Sequence, residues 1–137
     1  MMQKEVADRI LAIPGSKDYG ALTLAVNFDC TAERVLDIPS SAFIPRPQVT
    51  STVIKLRRRS RPAVDVKDRK LFFGLIRMGF GQRRKVFTNA MKAGGIPAEW
   101  IQSILEKAGI DGKRRGETFS IEEYGRLADA WYDKIHE

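Results

Sequence analysis

Apolar positions recur at helical spacing near both ends of the chain and at alternate positions between them. In residues 2–11, Val6, Ala7, Ile10 and Leu11 lie on one side and Lys4, Glu5, Asp8 and Arg9 on the other, which predicts an amphipathic helix. Pro14-Gly15 stops it. A second helix is predicted next, capped by Ser16 or Asp18, with Leu22, Ala25, Val26 and Phe28 along its apolar side. The β-branched content of this stretch leaves a strand open. Over residues 34–38 and 49–56 the period changes to two, which predicts two strands. Pro39, Pro45 and Pro47 lie between them. Proline cannot donate a ladder hydrogen bond, so residues 39–47 read as a stiff, extended connector that sets where Phe43 and Arg46 project.

After a basic linker at 57–62 the pattern is helical to the end. Asp65 is the expected cap of a helix carrying Leu71, Phe72, Leu75, Ile76 and Met78, interrupted by Gly79 and Gly81. A helix over 82–93 turns Val86, Phe87, Ala90 and Met91 inward and ends at Gly94-Gly95. Pro97 opens a further helix that runs to Ala108 and stops at Gly109. Ser120 and Glu123 form a capping box before the last one, whose buried face is Tyr124, Leu127, Ala128 and Trp131. The fold class is therefore α+β, predominantly helical, divided near residue 61 into a mixed segment (1–60) and an all-helical segment (61–137).

Composition narrows the function. The 137 residues are 43% hydrophobic and 30% charged, as a soluble globular chain is, and no apolar run reaches the length of a membrane span. A cytoplasmic protein with no membrane partner is the expectation. One cysteine, Cys30, and one histidine, His136, cannot build a disulfide, an ordinary zinc site or a well-held Cys-His pair. Twenty-four Lys and Arg against 17 Asp and Glu leave a net charge of +7, which favours a polyanionic partner. The cations cluster at Arg57, Arg58, Arg59 and Arg61, at Arg83, Arg84 and Lys85, and at Lys113, Arg114 and Arg115.

No glycine-rich dinucleotide loop, phosphate loop or nucleophile elbow is present in these residues, so no complete catalytic set and no cofactor site is expected in them. Two features carry more specific chemistry. The first is residues 43–51, where Phe43 and Arg46 sit on a proline-stiffened support. A pre-fixed aromatic suits stacking on an unstacked base, and packing of Phe43 into the core is the competing reading. The second is residues 80–85, Phe80-Gly81-Gln82-Arg83-Arg84-Lys85. Three cations opening a helix oppose its macrodipole, so phosphate contact or ion pairing elsewhere has to account for them.

These motifs resemble, in order along nearly the whole chain, the carboxy-terminal part of the small-subunit ribosomal RNA adenine N6,N6-dimethyltransferases. The matching segments are residues 2–7 with Arg9 and Ile10, residues 18–22, the Phe-x-Pro-x-Pro-x-Val-x-Ser pattern of 43–51, residues 80–85 with Asn89, and Arg115-x-Glu117-Thr118 with 121–124, Leu127 and Ala128. The resemblance implies that residues 1–60 are the end of a Rossmann-like methyltransferase domain and that 61–137 are a helical rRNA-binding domain. It implies methyl transfer from S-adenosylmethionine to N6 of adenines in a small-subunit rRNA hairpin of an immature 30S particle, the target base leaving its stack. It puts Phe43 beside that base and raises Arg46, Arg57, Arg58, Arg59, Arg83, Arg84, Lys85, Lys113, Arg114 and Arg115 as RNA contacts.

The family's donor loop, acidic ribose partner and reactive-amine motif precede the segment matched here, so these residues alone are expected to be inactive. Strands 34–38 and 49–56 would then show free edges and an uncovered face, from which a homodimer, strand exchange or local disorder before residue 33 is expected. A helix-turn-helix DNA-binding module, with 82–93 as reading helix, is the alternative.

Overall fold

The computed structural model describes all 137 residues. Their contacts divide into two units, Met1–Ile13 with Lys17–Ala63, and Pro14–Ser16 with Val64–Glu137.

The first unit contains β1 (Met2–Gln3), α1 (Lys4–Ile10), α2 (Ala21–Asp29), β2 (Cys30–Ile38) and β3 (Ser51–Arg58). The sheet order is β1-β3-β2, antiparallel throughout, so β3 is paired on both sides. β2 starts at Cys30, four residues before the expected 34, because Cys30 to Glu33 pair with Arg58 to Lys55. The register shifts between Arg34 and Leu36, a bulge at Val35 on the outer strand. The first two residues of the expected opening helix are instead the short strand β1, paired to Thr52 and Ser51.

Side chains of α2 complete the end of α1. The Thr23 hydroxyl donates to the Arg9 carbonyl, and Asn27 Nδ2 donates to Ile10 O at 2.9 Å, which satisfies carbonyls that a helix terminus leaves orphaned. Gly20, rather than Ser16 or Asp18, caps α2, and its N–H donates to Thr23 Oγ1 at 3.1 Å. The buried face is Thr23, Leu24 and Phe28, while Leu22 is exposed. Residues before 33, for which local disorder was one expectation, are built into β1, α1, α2 and the start of β2.

The second unit contains α3 (Arg69–Gly81), α4 (Phe87–Ala93), α5 (Ala98–Ala108) and α6 (Ile121–Ile135). Asp68, not Asp65, caps α3 and accepts from Lys70 N at 2.8 Å. Gly79 lies inside that helix and does not break it, whereas Gly81 is its last residue. Gly109 adopts φ 69°, the left-handed conformation that ends α5. The Ser120–Glu123 capping box opens α6, with reciprocal bonds of 3.1 and 3.0 Å. Phe72, Leu75, Ile76, Phe87, Met91, Ile104, Phe119, Tyr124 and Leu127 are almost wholly buried and form the core. No helix is long and apolar enough to cross a membrane, and no cluster of potential metal ligands forms.

Candidate nucleic-acid interface

The basic segments of the second unit stand on a rigid aromatic base. Phe87, Phe119 and Tyr124 meet edge to face, with ring centroids 4.8, 5.5 and 6.0 Å apart. Tyr124 is fully buried and donates its hydroxyl to Gly116 O at 2.7 Å. Gly79 and Gly116 approach so closely beside it that a Cβ on Gly116 would strike the Gly79 backbone and the Tyr124 hydroxyl. Glycine is required at Gly116 for this close approach.

From that base α3 leads into a turn at residues 82–85, closed by Lys85 N donating to Gln82 O at 3.0 Å. Arg83, Arg84 and Lys85 are exposed on it, and the Arg83 guanidinium lies 5.5 Å from the centre of the Phe80 ring. They therefore precede α4 and do not form its first turn. The macrodipole conflict raised by the sequence disappears with that placement.

A second basic segment is stitched alongside. Asp111 Oδ1 accepts from Lys113 N at 2.9 Å, shaping a tight loop. The carbonyls of that loop face the start of α4: Phe87 N donates to Arg114 O at 2.7 Å, and Thr88 N and Oγ1 donate to Gly112 O at 3.1 and 3.0 Å. These bonds tie the loop at 112–114 to Phe87 and Thr88, the residues that follow the basic turn 83–85. They also occupy the first amides of α4, so an anion here is met by side chains and not by the helix terminus proposed from the sequence.

Within the second basic segment the three cations differ. Arg114 donates through both terminal nitrogens to the Glu123 carboxylate and to Thr118 O at 2.8 Å, with its guanidinium 4.6 Å from the Phe119 ring centre. Glu123 raises the pKa of Arg114, and Arg114 holds the Glu123 carboxyl below its ordinary value. This guanidinium is committed to the fold. Lys113 and Arg115 are exposed, Arg115 lying 3.9 Å from Glu117.

The remaining candidates belong to the first unit. Arg57 and Arg58 are exposed, and they belong to β3, not to a linker. Arg59 is half-buried and donates to the carbonyls of Asn27 and Cys30, both at 3.0 Å, so it clamps the end of the sheet to the end of α2. Phe43 is half-buried, between the two readings its sequence left open. Its loop is not wholly extended, since residues 40–42 form a 3-10 turn; the Ile44–Pro45 peptide is cis. Arg46 is exposed and donates to Ser40 Oγ at 3.2 Å. Pairing of Ile38 with Ser51 and of Cys30 with Arg58 puts Phe43 and Arg57 toward opposite ends of the sheet, roughly 20 Å apart at strand rise. The structure thus joins the 112–114 loop to the residues just after 83–85, and separates Phe43 from Arg57 and Arg58.

The sequence did not single out Thr88, Gly112, Gly116 or Glu123 for this surface. A turn-forming Asp111-Gly112 pair was the one local signal. A reading helix over 82–93 is not found either: α4 has seven residues and its amino end is covered by the 112–114 loop.

The fold is shared with about half of each of two solved methyltransferases. A dimethyladenosine transferase from Plasmodium falciparum superposes with a TM-score of 0.82 at 22% identity, over 97% of this chain and 56% of that one. The 23S rRNA methyltransferase ErmE superposes at 0.60 and 22% identity, over 93% and 51%. Residues 1–127 match the family model for ribosomal RNA adenine dimethylase, and the chain belongs to that family. The ribosomal RNA small subunit methyltransferase A of Clostridium acetobutylicum is 53% identical over 132 residues, 96% of this chain and 48% of that protein. Proteins of the same name from Clostridium botulinum (Loch Maree) and Clostridium perfringens (SM101) are each 51% identical, over 97% and 95% of this chain. The chain spans about half the length of these curated relatives.

Proposed function

We propose that these residues are the RNA-engaging part of an enzyme that transfers methyl groups from S-adenosylmethionine to N6 of adenines in a small-subunit rRNA hairpin. The enzyme acts in the cytoplasm on the immature 30S particle. The observation that carries the reading is the joining of the loop at 112–114 to the start of α4, directly after the basic turn 83–85, by backbone hydrogen bonds from Phe87 and Thr88 over a buried aromatic base. A surface built that way presents Arg84, Lys85, Lys113 and Arg115 to phosphates with little ordering of main chain left to do on binding. Phe43 on its proline-bearing loop supplies the aromatic beside the target adenine, and Arg46 on that loop and Arg57 and Arg58 at the other end of the sheet are the first unit's further RNA contacts. Arg59 and Arg114 are assigned structural roles instead. The donor-binding elements lie outside these residues, which do not methylate by themselves.

The test is hairpin rRNA binding by the 137-residue chain across a salt series. Arg83→Ala, Arg84→Ala and Lys85→Ala together should weaken binding and reduce the slope of log K against log salt by about two to three charges' worth. An unchanged slope would sink the interface, and a preference for duplex DNA over hairpin RNA would sink the substrate class.

A further inference from the structure

We propose that the cleft beside the 111–113 loop is a nucleobase pocket that accepts an unpaired guanine of the bound RNA. The inference rests on the RNA-binding reading and adds a base-reading site to it. The cleft measures about 330 Å³, at the small end for ligand sites. Leu105 and Ile110, both nearly buried, form its floor, and Gln102, Glu106 and Lys113 stand on its rim. Gly112 forms part of the wall, where a Cβ would strike Thr88 and Leu105. The same glycine carbonyl accepts the two bonds from Thr88 that hold the loop to α4, so the wall of the cleft and the basic surface are one piece of backbone.

Charge is the reason to assign a base to it. A surface that met only phosphate would gain nothing from a carboxylate, and Glu106 stands within the same cleft as Lys113. A carboxylate is favourable where the ligand presents N–H groups. Gln102 Nε2 donates to Glu106 Oε1 at 3.0 Å, which leaves the Gln102 carbonyl and the second Glu106 oxygen available as two acceptors at the cleft's rim. Guanine is the base with two adjacent N–H donors on its Watson–Crick edge. Adenine and cytosine place an acceptor nitrogen beside their amino group, and uracil has a single N–H between two carbonyls. Unpaired RNA bases are read on that edge, with an apolar surface against the ring. Leu105 and Ile110 supply the surface, Lys113 the phosphate contact.

The probes are the four ribonucleoside 5′-monophosphates, titrated into the 137-residue chain while backbone amide resonances are followed. Guanosine monophosphate should shift Thr88, Leu105 and Gly112 and bind on the order of tenfold more tightly than the other three. Glu106→Gln, an exposed helix-surface change that leaves the melting temperature in place, should bring guanosine monophosphate down to their level. Hairpin RNA gives a sign test. If Glu106 reads a base, Glu106→Gln weakens RNA binding; if it is only a negative charge near phosphates, the substitution tightens it. Equal responses to all four nucleotides, or tighter RNA binding by Glu106→Gln, would overturn the pocket. Should the pocket fail while the triple change at 83–85 still weakens RNA binding, the interface stands without it. Failure of both removes both.

Discussion

In the helical unit Phe72, Leu75, Phe87, Ile104, Phe119, Tyr124 and Leu127 are all buried, and of its large apolar side chains Ile135, at the end of α6, is exposed. The sheet unit buries Ala7, Ile10, Tyr19, Leu24 and Phe28 yet leaves Ile13, Leu22, Val35, Leu36, Ile44, Val49 and Leu56 exposed. One unit closes a core from its own residues. The other, in a chain that spans half the length of its relatives, holds its strands by pairing while much of its apolar surface faces solvent. Rigidity of the basic surface therefore depends on the helical unit's packing, and the first way to break the comparison is to attack that packing.

Gly116→Ala should have the largest effect. A Cβ there meets backbone and a buried hydroxyl, neither of which can yield cheaply, so a loss of about 3 kcal/mol is expected. Amide exchange checks it. Protection should fall in α3 and α6 while the amides of β2 and β3 keep theirs; a uniform loss would mean that the two units do not differ as described.

Glu123→Gln should come next, at about 1 kcal/mol, because Arg114 keeps its bond to Thr118 O and its place over Phe119. Its signature is local. Faster exchange of the Phe87 and Thr88 amides, whose acceptors are in the loop that Arg114 anchors, is the expected result. Slower RNA association with unchanged exchange would contradict the role given to Arg114.

The elements that the sequence made legible are those written in short-range chemistry. The Ser120–Glu123 box, the Gly109 stop of α5 and the apolar stripe of α6 depend on neighbours within a turn, and each was readable. What was hidden depends on partners far along the chain. β1 is two residues long and exists because Thr52 and Ser51 pair with it. Gly79 read as a helix break because its reason, Gly116, lies 37 residues on. Among the clustered arginines, Arg59 and Arg114 looked like their neighbours, and only the Asn27 and Cys30 carbonyls and the Glu123 carboxylate set them apart. The basic surface was legible as a list of residues, and its geometry was not.

Leu36→Lys with Leu56→Lys tests the other side of the comparison. Both side chains are already about half exposed, so stability should change by less than about 0.5 kcal/mol. Light scattering of the unchanged chain should show a mass that rises with concentration, through exposed apolar positions on either face of the sheet, Leu36 lying on the face of its partner Val53 and Leu56 on the other, and the double substitution should abolish the rise. A concentration-independent monomer in both would show that this surface needs no cover.

Each unit also carries a carboxylate held by two cations, and acid should separate them last. In the helical unit Asp133 accepts from Lys107 at 2.7 Å and Lys67 at 2.6 Å, which lowers its pKa to about 2. In the sheet unit Asp8 is lowered by Arg34 and then Lys4. Both folded values lie below the unfolded one of about 3.9, so each contribution is present above that pH and lost as pH falls through the folded value. For Asp133 the loss spans roughly pH 4 to 2. Because these groups are solvent-accessible, raising salt should shrink the effect. Melting curves of Asp133→Asn between pH 5 and 2 should be flatter than those of the unchanged chain in the helical unit's transition alone, and the difference should narrow in molar salt. An equal flattening of the sheet unit's transition would mean that the ion pairs of the two units do not titrate independently.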